Sequence, residues 1–224
     1  MKVAFLGTGL MGGPMVKNLA SAGYEITAWN RTSSKAEFLL QFGVDVKGLA
    51  ADAVKNADVV VSMLSNGDAS AQMQSDKDLQ ISLSSNATWI EMGSIKPDES
   101  RLHSKKLAAL GVNYLDAPVS GGTKGAENGM LAIMVGGERS VFKKVKNVFA
   151  PMGRAVFVGP TGSGQLAKLA NQAIVAITIG AVSEATLLLE EGGADVGAVR
   201  DALLGGFADT VSYTHLRAHE TTPH

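Results

Sequence analysis

The feature that most restricts this chain is Gly7-Thr8-Gly9-Leu10-Met11-Gly12, which follows an apolar run at Val3–Leu6 and opens a helix-like stretch at 11–22. Glycines in the spacing G-x-G-x-x-G at a strand-to-helix junction do three things. Gly7 allows the tight turn, Gly9 lets the backbone approach a bound pyrophosphate, and Gly12 lets the helix pack on the strand with its free N–H groups toward the phosphates. The motif means little alone, but here strand, turn and helix stand in the order that a dinucleotide site needs.

The surrounding pattern agrees. Strand 2–6, helix 11–22, strand 24–29, helix 33–42 and strand 58–64 form the βαβαβ rhythm of a parallel sheet covered by helices. Further strands are expected at Thr88–Met92, Asn113–Ala117, Leu131–Val135 and Ala155–Val158, with helices at Asp98–Leu110 and Ser140–Phe149. The fold class is therefore α/β, a Rossmann-type doubly wound parallel sheet at residues 1–160 that binds a dinucleotide. An apolar helix near Gln165–Glu191 and a shorter one near Val196–Leu204 open a second, all-helical domain at 161–210. Residues 211–224 carry three of the four histidines, show no amphipathic period, and read as a tail of doubtful origin, either a solvated terminus or sequence foreign to the rest.

Composition removes many alternatives. With no cysteine there is no thiol nucleophile, disulfide framework or Cys-ligated zinc, and no metal site is expected. A net charge of −1 gives no footprint for nucleic acid. No apolar leader stands ahead of the first strand, so a cytoplasmic location is expected. The longest uncharged helical run, Leu169–Ser183, is 15 residues with Asn171 and Gln172 inside it. That is short of the ~20 needed to span a bilayer, so no membrane contact is expected and the run reads as a buried helix. The chain's 26 glycines exceed the usual ~7% and cluster at 7–13, 121–125, 136–137 and 159–164.

At the end of its second strand an NAD-binding domain usually presents Asp or Glu to the ribose hydroxyls, whereas this chain has Asn30, Arg31 and Thr32. Arg31 offers a fixed cation and a planar fork suited to a 2′-phosphate, which favours NADP over NAD; the alternative is a solvated loop arginine. For the proton-transfer group, three familiar dehydrogenase designs fail. No Tyr-x-x-x-Lys occurs, no cysteine is present for zinc, and His103 lies in a polar helix where it is expected to be solvated. Lys168 remains. It is the only charged residue between Arg154 and Glu184, and an apolar helix could desolvate it into a useful acid, or simply let it snorkel. Asn171 and Gln172 extend a polar patch on the same helical face. Ser120, Gly121 and Gly122 follow a strand, where they form either a cradle for a substrate carboxylate or a plain tight turn.

Taken together, GTGLMGGPM at 7–15, Asn30-Arg31-Thr32, DAPVSGGTKGAENGML at 116–131 and GSGQLAKLANQ at 162–172 resemble the β-hydroxyacid dehydrogenase family over about residues 1–210. The resemblance is nearest to the NADPH-using glyoxylate and succinic semialdehyde reductases. It implies hydride transfer between NADP(H) and a small semialdehyde or hydroxy acid of the glyoxylate, succinic semialdehyde, tartronate semialdehyde or 3-hydroxyisobutyrate class. Lys168 is then the acid/base, with Asn171 or Gln172 orienting a substrate whose carboxylate Ser120, Gly121 and Gly122 hold. Leu10, Met11, Met63, Leu64 and Ser94 join the glycines and Asn30–Thr32 as cofactor contacts. Family members carry further helices beyond the point where this chain enters its tail, which implies a shortened helical domain, and a homo-oligomer in the full-length form. A non-catalytic NADP-binding module, or an inactive fragment, is the alternative function.

Overall fold

A computed structural model of the chain describes residues 1–206 and residue 208. The foreign-tail reading of 211–224 therefore lies outside the described residues. The chain divides into two compact units, Met1–Lys168 and a second beginning at Leu169.

In the first unit the elements are β1 (Lys2–Leu6), α1 (Gly12–Ser21), β2 (Glu25–Trp29), β3 (Asp45–Lys47), α2 (Ala50–Val54), β4 (Val59–Ser62), α3 (Gly67–Ser75), α4 (Lys77–Ser82), β5 (Thr88–Glu91), α5 (Pro97–Ala108), β6 (Asn113–Asp116), β7 (Val119–Ser120), α6 (Gly122–Glu127), β8 (Leu131–Gly137), α7 (Arg139–Phe149) and β9 (Gly153–Gly159). The sheet order is β3-β2-β1-β4-β5-β6-β8-β7, with β9 also paired to β8. Strands β3 to β6 in this order are parallel, whereas β8 runs antiparallel to β6 and β7. The sheet is thus doubly wound and mostly parallel, and its order reverses between β1 and β4, where a crevice opens at the strand ends.

Both faces of the sheet are covered, so the central strands bury every residue. Val3 and Phe5 of β1 pack with Met15, Val16 and Leu19 of α1 on one face, while Ala4 and Leu6 join Val60, Trp89 and Leu107 on the other. In α7 the buried residues Val141, Phe142, Val145, Val148 and Phe149 keep helical spacing, which is why that segment was legible.

Two local expectations change. The helix expected at 33–42 is instead a pair of 3₁₀ turns, Ser33–Lys35 and Glu37–Phe42. Its buried residues there, Ala36 and Leu39, stand three apart, the repeat of a 3₁₀ turn rather than an α-helix. His103, expected in solvent, is buried, because α5 turns Ser100, His103 and Leu107 inward while its charges face out. Burial lowers its pKa and favours neutral imidazole, and it lies among sheet-facing residues rather than at a ligand cavity.

The second unit contains most of α8 (Ser163–Glu191), whose first turns belong to the first unit, followed by α9 (Val196–Leu203). Here the expectation of a buried helix is overturned. Ile174, Ile177 and Leu188 are 66%, 73% and 72% exposed, and among the described residues from 169 to 191 only Val182 is buried. At 29 residues α8 is also long and apolar enough, by length and composition, to cross a membrane, although its longest uncharged run had seemed too short. Apolar surface of this extent is expected to drive self-association. Sedimentation at micromolar concentration should show oligomers that Ile177→Glu with Leu188→Glu disperses. A monodisperse parent would mean that the flank is covered within one chain.

Candidate active site

The crevice at the β1–β4 reversal is a cavity of about 660 Å³, within the roughly 300–1,000 Å³ typical of ligand sites. Its floor is the glycine turn. Gly7 has φ +99°, and a Cβ there would stand 2.4 Å from the Met63 carbonyl oxygen. The turn is held by Gly7 N–H donating to the Trp29 carbonyl at 2.8 Å and Thr8 N–H donating to Asn30 Oδ1 at 3.1 Å. A Cβ on Gly12 would lie 2.0 Å from the Gly7 carbonyl oxygen, so α1 can approach β1 only through glycine.

Gly9 is different: a Cβ there would meet nothing within 4 Å, although the residue lines the cavity. Its missing side chain therefore serves no contact within the chain and leaves room for a ligand. The start of α1 has no side-chain cap and no acidic residue in its first turn, leaving N–H groups for an anion. These features fit a pyrophosphate.

Leu10 and Met11 line the same cavity, as do Asn30, Arg31 and Thr32 from the end of β2 and Met63 and Leu64 from the end of β4. The structure thus brings together every expected cofactor contact except Ser94, which is exposed on the loop after β5 and lines no part of this cavity. Sequence reasoning missed Lys35, which adds a second cation on the Arg31 side, and the opposite wall from α3, Ala69, Gln72 and Met73. Asp76 also lines the cavity, but its Oδ1 is engaged by the N–H groups of Asp78 and Leu79 at the start of α4.

The expected catalytic and substrate residues do not line this cavity. Ser120 is half-buried at the end of β7, and Gly121 and Gly122 are exposed where α6 begins. Lys168 lies near the start of α8 and is half-buried. Burial lowers its pKa below the ordinary lysine value, and no carboxylate forms an ion pair with it among the described residues. In the second unit, Asn171 Nδ2 donates to Gln172 Oε1 at 3.0 Å.

Two buried groups escaped the sequence reading. The Asp116 carboxylate caps the start of α8, accepting from Gly162 N–H at 2.8 Å on Oδ1 and from Gln165 N–H at 2.9 Å on Oδ2. Burial raises its pKa, and these amides offset part of the rise. Glu91, at the end of β5, is fully buried beneath Leu64 and Gly93, accepting from the Ser70 hydroxyl and from Gly93 N–H at 3.2 Å. Desolvation pushes its pKa up to about 7.

A doubly wound sheet with this glycine turn and an anion-ready helix start at its reversal defines a dinucleotide-binding domain, and the comparisons make it that of a nicotinamide-dependent oxidoreductase. Residues 2–159 match the NAD-binding domain of 6-phosphogluconate dehydrogenase, and residues 162–222 match the NAD-binding segment of NADP-dependent 3-hydroxyisobutyrate dehydrogenase. The chain belongs to the β-hydroxyacid dehydrogenase family. It is 40% identical over 213 residues to the 2-hydroxy-3-oxopropionate reductase of Escherichia coli (strain K12), covering 94% of this chain and 72% of the relative. It is 37% identical to an NAD-dependent L-serine dehydrogenase of Pseudomonas aeruginosa, covering 84% of this chain and 63% of that one. Among solved structures, Mycobacterium tuberculosis 3-hydroxyisobutyrate dehydrogenase with L-serine superposes at a TM-score of 0.88 and 32% identity, over 94% of this chain and 72% of that one. The second family match reaches residue 222, inside the stretch read as a foreign tail, so the comparison does not set that stretch apart.

Proposed function

We propose that the chain carries the NADPH-dependent reduction of a small semialdehyde or keto acid to its hydroxy acid, with Lys168 as general acid. The observation that carries this reading is the half-buried, unpaired Lys168 amine. A lysine depressed by burial is a stronger acid than one in water, and among the described residues no carboxylate forms an ion pair with it. A nicotinamide cofactor held by the Gly7–Gly12 turn and Asn30–Thr32 would supply the hydride taken up by the carbonyl carbon. As the C=O π bond breaks, the Lys168 ammonium gives its proton to the carbonyl oxygen, leaving a hydroxyl and a neutral amine. Ser120 and the Gly121 and Gly122 amides hold the substrate carboxylate. The test is NADPH consumption with glyoxylate and succinic, tartronate and methylmalonate semialdehydes. Turnover with at least one supports the reading. Tight NADPH binding without turnover on any would favour a cofactor-binding module.

The choice of NADPH rests on Arg31, with Thr32 and Lys35 lining the same side of the cavity and no carboxylate at the end of β2. Charge-assisted hydrogen bonds of the kind Arg31 would make to a 2′-phosphate contribute about 1.5–3 kcal/mol. Arg31→Ala is therefore expected to weaken NADPH by roughly 10- to 100-fold, while leaving NADH nearly unchanged. Fluorescence titration with both cofactors checks this, and an equal loss for each would remove the 2′-phosphate from the Arg31 assignment.

A further inference from the structure

The catalytic lysine stands one turn beyond a residue that the reaction scheme does not use. Gln165 is 1% exposed, and both ends of its side-chain amide are engaged. Nε2 donates to the Gly93 carbonyl at 2.8 Å, and Oε1 accepts from Ile95 N–H at 3.1 Å. The two bonds grip the backbone on either side of Ser94. The Gln165 backbone N–H meanwhile donates to Asp116 Oδ2 at 2.9 Å, and that carboxylate occupies a niche walled by glycines. A Cβ on Gly136 would lie 2.6 Å from Asp116 Oδ1, and one on Gly164 would lie 2.9 Å from Oδ2 and 2.6 Å from the Asp116 carbonyl oxygen. Neither position has room for a side chain, so β8 and the start of α8 can close on the Asp116 carboxylate only through glycine. Asp116 in turn ends β6, four residues before Ser120.

We propose that Gln165 and Asp116 are positioning residues that lock the first turn of α8, and with it Lys168, to the loop carrying Ser94 and to the strand end that leads to Ser120. Without the lock, the chain would have to bring three separate loops into register at each turnover. With it, they share one hydrogen-bonded knot built from a single buried amide and a single buried carboxylate. An apolar side chain in place of either group would leave buried backbone partners, the Gly93 carbonyl and Ile95 N–H or the Gly162 and Gln165 N–H groups, without a hydrogen bond. The proposal rests on the reading of Lys168 as proton donor.

The test uses the full chain with [ε-¹³C]lysine, the Lys168 resonance being assigned from a Lys168→Arg spectrum. In Gln165→Ala, water gains access beside Lys168, and its titration is expected to move up toward that of an ordinary lysine. Turnover falls by up to about 10²-fold, as a misplacement of about 1 Å can cost. Gly93 stands against the Leu64 backbone of the cavity wall, so NADPH affinity is measured as well, and its loss is expected to be much smaller than the loss in turnover because Gln165 itself does not line the cavity. Gln165→Glu is the second variant and guards against a chain that does not fold. When protonated it reproduces the donor to Gly93 and the acceptor to Ile95; when ionised it repels the Gly93 carbonyl. The Ile95 amide shift and the turnover relative to the parent should therefore return as pH falls. A folded Gln165→Ala chain with an unmoved Lys168 titration would overturn the lock, as would a Gln165→Glu chain whose deficit is the same at every pH. Parent-level turnover in Lys168→Ala is a separate failure, of the functional reading, and is scored in a different sample.

Discussion

Lys168→Ala is expected to lower NADPH-driven turnover by about 10²–10⁴-fold, the range that a positioned general acid contributes, while cofactor binding stays nearly intact. The second half of that expectation follows from the fold, because the dinucleotide crevice is built from β1, α1, β2, β4 and α3 and Lys168 does not line it. The pH profile separates acid catalysis from simple packing. Reduction requires the ammonium, so turnover should fall as pH rises through the Lys168 pKa. Because burial lowers that pKa, the falling limb should lie below the ordinary lysine value of 10.5. Lys168→Arg, whose guanidinium does not titrate in this range, should lose the limb whatever activity it retains. A Lys168→Ala chain that turns over like the parent would take the lysine out of the chemistry.

What the sequence disclosed about this site follows a physical division. The glycine turn was legible because its requirements are local: Gly7 and Gly12 touch backbone only a few residues away or one strand across, and no other residue fits. Lys168 was legible as a single charge in an apolar helix. Gln165 and Asp116 were not, although both stand inside quoted motifs, because their partners lie 46 to 72 residues away and a polar residue near a helix start reads as surface. His103 misled for a related reason. Its neighbours Arg101, Lys105 and Lys106 made the whole helix look wet, whereas burial depends on the face it occupies with Ser100 and Leu107. For α8 the apolar pattern correctly gave a helix. Whether such a helix is buried depends on what packs against it, and that is not written in its own residues. Arg31 is intermediate: its place beside the cavity could be inferred from its distance beyond the glycines, but the accompanying Lys35 follows from a 3₁₀ turn that the sequence pattern presented as an α-helix.

Glu91→Gln is expected to make the chain more stable at pH 8 and to have a several-fold smaller effect at pH 5. A carboxyl of ordinary pKa 4.5 that is pushed up to about 7 in the folded chain binds its proton more tightly there than in the unfolded chain. Between those values the folded state holds more protons, so the stability associated with the neutral acid is fully present below pH 4.5 and is lost as pH rises through about 7. At ~1.4 kcal/mol per pH unit, the gap amounts to about 3 kcal/mol. Glutamine imitates the neutral acid: its NH₂ can donate to the Ser70 hydroxyl oxygen and its carbonyl can accept from Gly93 N–H, while the Ser62 and Trp89 side chains also face this position. The effect should be read as the difference between the two chains. Buried His103, whose lowered pKa makes stability rise with pH below 6.5, contributes the opposite slope to both, and Asp116 adds the Glu91 sign at lower pH in both. Urea unfolding from pH 4.5 to 8 checks the prediction. Parallel stability curves for parent and variant would mean that Glu91 remains ionised in the folded chain, held by Ser70 and Gly93 despite its burial.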